Sequence, residues 1–317
     1  MSAVLKDEGA DSTSIARKLS LHAVLPQQVL LGQLEAGLIA SPSETIPLLN
    51  AWEKANQAYG QSGPVTRSFI DSQDLRSIQD VEESSQEETL RRLRTYSPFD
   101  SHRVTLYEVN VSKLVTPQIT LHAARAATRA AVRPGMTASD LFRVAFSASS
   151  HAEPVNRQVL SMGPNAGSVL FTSFNEDVRL HQPVYPEVPT NKKDEKSALL
   201  PSVCLPVGGG LGFAYALRVD TGNGGRRLIL MNGIHRVYEF ARAGFQWVPL
   251  AVCDIQPMEL PDQVVDLPKH ILLDPRANPP LLTDYLNNSV VLELDYFRVL
   301  RTVRVNWNCE QYATVLR

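Results

Sequence analysis

The amino-acid sequence predicts an α+β fold with a mixed sheet, and three observations lead to that class. Residues 213–220 and 226–231 are strand-like and are joined by a glycine-rich turn, which predicts a hairpin. The second of these strands is followed by a short helical pattern and an apolar strand at 247–253. The chain has 317 residues, 44% of them apolar, which is enough for a sizeable hydrophobic core.

The N-terminal part of the chain, residues 1–95, is expected to be a helical region with a polar linker. Apolar residues recur at helical spacing from 13 to 59, with a break at 41–44. Residues 60–88 are polar and include a run of acidic residues, which is typical of a linker or an exposed helix face. Residues 96–317 are expected to form the α+β domain.

The middle of the chain contains one clear strand pattern and one long insertion. Alternating apolar residues predict a strand at 104–115, and an alanine-rich helix is expected at 119–132. Three arginines fall on one face of that helix, where they form either a solvated surface or a contact for nucleic acid: Arg125, Arg129 and Arg133. Residues 150–205 are rich in proline and charge, so we expect an exposed, irregular insertion that could bind a protein partner.

The C-terminal half contains the strongest local signals. Leu228–Met231 is apolar on both faces, which predicts a central strand. Gly244 stands where a glycine commonly ends a helix. The segment 257–280 is rich in proline and is expected to be a wrapping loop rather than a packed element, whereas residues 289–304 alternate in the manner of one or two closing strands.

Composition limits the possible classes of function. The 31 Lys plus Arg against 33 Asp plus Glu give a net charge of −2, so nucleic acid would bind only through a local basic patch. The three cysteines lack metal-binding spacing, the start of the chain lacks the pattern of a secretory signal, and the apolar stretch Ala23–Ala40 is interrupted by polar residues. These features predict a cytoplasmic protein without a membrane segment.

The most informative feature is the corner Asn232–Arg236, a tight turn followed by the basic residues His235 and Arg236 at the start of a helix. The first turn of a helix presents unsatisfied N–H groups and partial positive charge, so it favours an anion. Gly233 lets the chain approach a phosphate closely, and Arg236 offers a forked, permanently charged contact. The alternative is a plain turn in which Arg236 pairs with an acid such as Glu239.

The order of strand, Gly-rich turn, strand, Asn232–Arg236, helix, glycine and Val-Pro strand resembles the core of the ParB/sulfiredoxin-like superfamily. The resemblance extends from about Pro206 to Asp254, roughly one sixth of the chain. Ile234 occupies the position of the sulfiredoxin catalytic cysteine, which excludes that reductase activity. The partition-protein signature Glu-Arg-Arg is replaced by His235-Arg236, and no helix-turn-helix pattern follows. The His-Arg version is similar to ParB-like enzymes that handle phosphate groups.

The resemblance implies a set of site residues. The nucleotide- or phosphate-binding residues would be Gln118, Asn232, Gly233, Ile234, His235 and Arg236. The catalytic residues would be His235 and Glu108, and two other carboxylates, Glu239 and Asp254, are candidates by family topology. The cofactor is not named by the sequence, but phosphoryl transfer would require Mg²⁺ in addition to the nucleotide. No protein metal site is expected.

Three functions follow from the sequence. The leading one is a cytosolic protein that binds a nucleotide or another phosphate-bearing small molecule at the corner, as a phosphotransferase or a nucleotide hydrolase. The second is a non-enzymatic interaction or scaffold protein with a degenerate ParB-like core. The third is DNA binding or cleavage through the arginine-bearing helix at 119–132.

Overall fold

The structure is a computed structural model. It describes residues 15–40, 45–61, 63, 65–94, 104–124, 126, 132–147, 154–163, 165–174, 178–180, 207–208, 212–222 and 225–308. The predicted arginines Arg125 and Arg129 and most of the segment 175–211 lie outside these ranges. No helix in the described part of the chain combines the length and the hydropathy needed to span a membrane.

Helices and strands each make up a large part of the described chain, which confirms the α+β class. The helices are α1 (Gln27–Glu35), α2 (Thr45–Gly60), α3 (Glu83–Arg94), α4 (Ala138–Phe146), α5 (Ile234–Arg242) and α6 (Lys269–Leu273). The strands are β1 (Ile15–Ser20), β2 (Leu75–Ser77), β3 (Val104–Asn110), β4 (Leu114–Val115), β5 (Thr120–Leu121), β6 (Asn156–Met162), β7 (Ala166–Ser173), β8 (Arg179–Leu180), β9 (Val207–Gly208), β10 (Tyr215–Asp220), β11 (Arg226–Asn232), β12 (Trp247–Ile255), β13 (Gln263–Val264), β14 (Leu267–Pro268), β15 (Leu292–Phe297) and β16 (Arg301–Asn308).

The main sheet has six strands in the order β2-β3-β12-β10-β11-β4. The pairs β10/β11 and β12/β3 are antiparallel, whereas β10/β12 and β11/β4 are parallel. The sheet is therefore mixed, and β11 is an internal strand, as its apolar sequence predicts. Only the short turn Val111–Lys113 separates β3 from β4. One continuous stretch of chain thus pairs with both sides of the β12-β10-β11 unit.

The N-terminal region is only partly the helical region that the sequence predicts. It contains α1, α2 and α3, but β1 lies between β15 and β5 in a second sheet, and β2 extends the main sheet. A smaller hydrophobic cluster joins α1 and α2 to β15 through residues such as Leu30, Leu48 and Leu294. The N-terminal region and β15 therefore share a core.

The segment 150–205 is not irregular throughout. The strands β6 and β7 form an antiparallel pair, and β7 also pairs with β16 to complete a three-stranded sheet in the order β16-β7-β6. We call this sheet the arm. None of its residues belongs to either hydrophobic cluster formed by the described residues. The arm thus contributes no side chain to either of these two clusters.

The large hydrophobic cluster lies around the main sheet and includes the buried thiol of Cys253. The proline-rich segment 257–280 contributes to it, because Leu260, Val264 and Leu272 are almost fully buried. The prediction of a wrapping loop is therefore wrong for this segment, which packs against the core as β13, β14 and α6. The predicted closing strands at 289–304 are confirmed as β15 and β16.

Candidate functional site

The corner lies at the end of two parallel neighbours, β4 and β11. Their register pairs Val115 with Ile229, so the chain that leaves β4 reaches Gln118 at the same edge of the sheet where β11 ends at Asn232. The topology thus brings these two predicted residues to one edge. Ligands commonly bind outside the carboxyl ends of parallel strands.

Gly233 connects β11 to α5 and requires glycine for two reasons. Its φ is +87°, in the left-handed region that side chains disfavour. A Cβ at this position would also lie 2.7 Å from the Cβ of Ala214 and 2.8 Å from its Cα. The close approach that glycine allows at this position is therefore an approach to the protein's own chain at Ala214.

Asn232 also contacts the segment that precedes β10. Its side-chain amide donates a hydrogen bond to the carbonyl of Phe213. Asn232 and Gly233 together hold residues 213–214 against the start of α5. This contact gives the Asn-Gly pair a structural role in addition to forming the turn.

Arg236 is buried, with 8% of its surface exposed. Its Nη1 donates to the carbonyl of Gly212 at 2.6 Å and to the carbonyl of Ala145, the penultimate residue of α4, at 3.0 Å. Glu239, the expected acidic partner, is not the acceptor in these two bonds. The carboxylate of Glu239 instead accepts from Arg242 at 2.6 Å. Arg236 thus ties α4 and the approach to β10 to the first turn of α5.

The start of α5 retains features of an anion site. The helix has no side-chain N-cap hydrogen bond and no acidic residue in its first turn. The N–H groups of Arg236 and Val237 both donate to the carbonyl of Gly233, so an anion at this end of the helix would meet the N–H groups of residues 233–235 instead. Ile234 is buried, whereas His235 is half-buried. The imidazole is therefore the basic side chain of the corner with partial access to solvent.

Gln118 is held in place by the elements around it. Its backbone carbonyl accepts hydrogen bonds from the hydroxyls of Thr116 at 3.0 Å and Tyr285 at 2.9 Å. Its side-chain amide donates to the carbonyl of Thr120 at 2.7 Å. Tyr285 also packs edge-on against Tyr238 of α5, with ring centroids 6.3 Å apart. Gln118 is thus linked to α5 through this pair of tyrosines.

Glu108 is not brought to the corner. It lies on β3, and β12 and β10 stand between β3 and β11 in the sheet. Its cross-strand partners are Pro249 and Arg76. Burial raises the pKa of the Glu108 carboxyl, Arg76 lowers it, and Asp80 raises it further. The catalytic pair of His235 and Glu108 that the resemblance implies is therefore not assembled.

The other two candidate carboxylates have arginine partners. Glu239 pairs with Arg242 on α5, and Asp254 forms a bidentate pair with Arg218 on the adjacent strand β10. No group of three or more His, Cys, Asp or Glu side chains that could hold a metal ion occurs within the described residues. The carboxylates therefore do not gather around the corner.

No sequence pattern identifies the partners of Arg236. One local sequence signal concerns part of the site: the spacing of Thr137 and Asp140 is that of a capping box, and in the structure these two residues form the box that starts α4. That box fixes the helix whose last turn supplies the Ala145 carbonyl. The choice of Ala145 and Gly212 as acceptors has no signature in residue type, since every residue has a backbone carbonyl.

Comparison with protein-family models, with curated proteins and with solved structures gave no match.

Proposed function

We propose that this protein binds a phosphate-bearing small molecule, such as a nucleotide, at the corner formed by β4, β11 and α5. The observation that carries the proposal is the meeting of Gln118 and the uncapped, acid-free start of α5 at the ends of two parallel strands. A helix start in this position favours an anion through its N–H groups and its dipole. The continuous unit of β11, Gly233, α5 and β12 also supports the ParB-like resemblance.

The contacts divide the corner into two kinds of residue. Asn232, Gly233 and Arg236 position the turn, because their described contacts go to the protein's own backbone. His235 and Gln118 are half-buried and would contact the ligand, together with the N–H groups at the start of α5. A neutral imidazole can donate one hydrogen bond, and a charged one can donate two to a phosphate.

The function that we propose for the corner is ligand binding rather than phosphoryl transfer. Transfer requires a metal and a carboxylate close to the phosphate. Glu108 lies across two strands, and Glu239 and Asp254 are paired with arginines. A phosphotransferase or nucleotide hydrolase activity at this corner would need Mg²⁺ to be held largely by the ligand itself.

Calorimetry and thermal unfolding with CTP, ATP, ADP and inorganic phosphate, each with and without Mg²⁺, test the proposal. A ligand at a hundred times its Kd stabilises the fold by about 3 kcal/mol, which raises Tm by roughly 5 °C. We expect His235→Ala to weaken binding about tenfold because one charge-assisted hydrogen bond is lost. His270→Ala is the matched control, since His270 is an exposed histidine on α6.

Two results would contradict the proposal. One is the absence of any stabilisation or heat of binding across the ligand panel. The other is an equal loss of binding in the His235 and His270 variants, which would indicate a general effect of charge.

A second candidate function is an interaction or scaffold protein in which the corner is purely structural. The backbone contacts of Asn232 and Arg236 favour it, because they account for two of the six implied ligand contacts without a ligand. It predicts that His235→Ala and Gln118→Ala behave like the wild type in every binding assay. DNA contact through Arg125, Arg129 and Arg133 stays a prediction, as does a protein partner for the insertion at 150–205.

A further inference from the structure

Edge strands distinguish the arm from the other sheets of the molecule. The outer N–H and C=O groups of an edge strand face no further strand, so a long edge readily pairs with another chain. In the main sheet the edges β2 and β4 have three and two residues, and the strands of the two-stranded sheets have two residues each. In the second sheet β5 has two residues, and the longer edge β15 is covered by the segment 38–40, in which Ile39 bridges to Tyr296. Among the described residues, the long uncovered edges are therefore β6 and β16 of the arm.

The two edges of the arm differ in their charge. β16 carries the exposed arginines Arg301 and Arg304, and its valines at 303 and 305 are half-buried. β6 contains one charged residue, Arg157, and no proline. Charged residues and prolines on an edge strand oppose its pairing with another chain. β6 is therefore the edge of the arm that is more open to pairing.

β6 also exposes apolar side chains along its whole length. All of its residues are exposed, and three of them are large and apolar: Val159, Leu160 and Met162, with 44%, 42% and 71% of their surface accessible. None of these three belongs to either hydrophobic cluster of the described residues. One added strand would remove part of this apolar surface from water and would satisfy the outer backbone groups of β6.

The sequence of β6 is compatible with a second copy of itself. Two antiparallel copies related by a two-fold axis at Val159 place valine opposite valine and Arg157 opposite the neutral Ser161. At about 3.3 Å per residue, the two Arg157 positions are then about 13 Å apart along the strands, which exceeds the Debye length of about 8 Å at physiological salt. The remaining residues of the strand are uncharged. The second copy therefore fits this edge without bringing like charges together.

We propose that β6 is an interface at which two copies of this chain pair edge to edge, antiparallel, about a two-fold axis at Val159. The two three-stranded arms then form one continuous sheet across the dimer. Both copies use the same edge, so the association closes at two chains. The register of β6 with β7 shifts between Val159 and Ser161, and such a bulge shortens the regular part of the edge, so the dimer is weak. The interface involves none of the residues at the corner formed by β4, β11 and α5.

Sedimentation velocity of the full chain over a range of micromolar concentrations tests this proposal. Val159→Lys places two ammonium groups opposite each other at the axis, and we expect the Kd of the dimer to rise about tenfold or more. Thr302→Lys is the matched control, because Thr302 is an exposed residue of β16 and the same charge is added at the other edge of the arm. Its Kd should equal that of the wild type. Since the two Arg157 side chains repel each other, added salt should leave the wild-type Kd unchanged or lower it.

Disulfide crosslinking locates the axis and does not depend on the lysine variant. Residues directly opposite each other in antiparallel strands have Cα atoms about 4.5–5.5 Å apart, within the range of about 4.4–6.8 Å that a disulfide bridges. We therefore expect a covalent dimer of Val159→Cys under mild oxidation and none of Thr302→Cys. The wild type, which has three cysteines, gives the background in the same assay. Circular dichroism of each variant verifies that the fold is intact.

Four outcomes would overturn the proposal. One is a monomer at every concentration, without crosslinking of Val159→Cys above the background. The second is an equal rise of Kd in Val159→Lys and Thr302→Lys, which would place the interface elsewhere. The third is growth into filaments instead of a closed dimer. The fourth is a monomer that binds polyglutamate and loses this binding in Arg157→Gln, which would assign the edge to an acidic partner.

Discussion

Arg236→Met is the substitution that distinguishes a positioning role for Arg236 from contact with a ligand. Methionine retains the length and apolar character of the buried part of the side chain but has no N–H groups. The carbonyls of Gly212 and Ala145 then lose a charged donor inside the protein. If Arg236 holds the corner together, the variant loses stability even when no ligand is present.

The expected magnitude follows from these two bonds. A hydrogen bond from a charged donor contributes about 1.5–3 kcal/mol, so two contribute about 3–6 kcal/mol. Removal of a buried guanidinium also recovers part of the free energy spent on its desolvation. We therefore expect the free energy of unfolding to fall by about 3 kcal/mol.

Urea denaturation at neutral pH without ligand measures this change. Arg143→Met is the matched control, because Arg143 is an arginine of α4 whose side chain is 76% exposed. The control should unfold at nearly the same urea concentration as the wild type. A loss below about 1 kcal/mol in Arg236→Met, together with abolished ligand binding, would refute the reasoning and identify Arg236 as a ligand contact.

Three further predictions concern buried groups. Burial lowers the pKa of His22 to about 4. The neutral imidazole therefore contributes to stability above the usual pKa of 6.5, and this contribution, roughly 3 kcal/mol, is lost as pH falls to about 4. Urea denaturation at a series of pH values should show the loss in the wild type and not in His22→Asn. Gly233→Ala should lower the free energy of unfolding by about 3 kcal/mol in the same assay, because Gly233 has a positive φ and a Cβ there would overlap Ala214. Gly222→Ala is the control: Gly222 also has a positive φ, but a Cβ there meets no neighbour, so the variant should lose only the free energy of the backbone strain. Arg227→Lys should lower Tm by several degrees, because the three N–H groups of one ammonium cannot replace the four contacts that the guanidinium makes with the hydroxyl of Ser68 and the carbonyls of residues 272, 274 and 277; an unchanged Tm would contradict this.

Local patterns predicted the central part of the fold because its signals are local. The glycine-rich turn, the apolar run Leu228–Met231 and Gly244 each specify a feature within a few residues. Gly244 has a φ of +88°, and the N–H of Phe245 donates to the carbonyl of Phe240, as in a glycine-terminated helix. These signals led to β10, β11, α5 and β12 with nearly correct bounds.

Sequence patterns failed to predict strands in which burial does not follow residue type, such as β1 and β6. The inward face of β1 carries Ala16, Lys18 and Ser20, all buried, so its alternation is not an alternation of hydrophobicity. Lys18 is accommodated because its ammonium lies 4.9 Å from the ring centroid of Tyr296. In β6 every residue is exposed, so no buried face marks the strand.

Within the corner, the sequence did not predict the groups that the selected residues contact. Asn232, Gly233 and Arg236 each have a specific role, but the partners of Arg236 lie 24 and 91 residues away along the chain. Their proximity depends on how α4 packs beside α5, which is a property of the tertiary structure. Residue spacing alone cannot give such contacts.

The pairing of β1 with β15 has a consequence for how the chain folds during synthesis. Arg17 and Asp295, which form a hydrogen bond across this pair, are 278 residues apart in sequence. At about 5–20 residues per second, the ribosome completes the partner strand roughly 15–60 s after β1. During that interval, β1 and the apolar faces of α1 and α2 lack the strand against which they pack. Contacts of such long range also slow folding once synthesis is complete. The nascent N-terminal region therefore has a prolonged need for protection from aggregation.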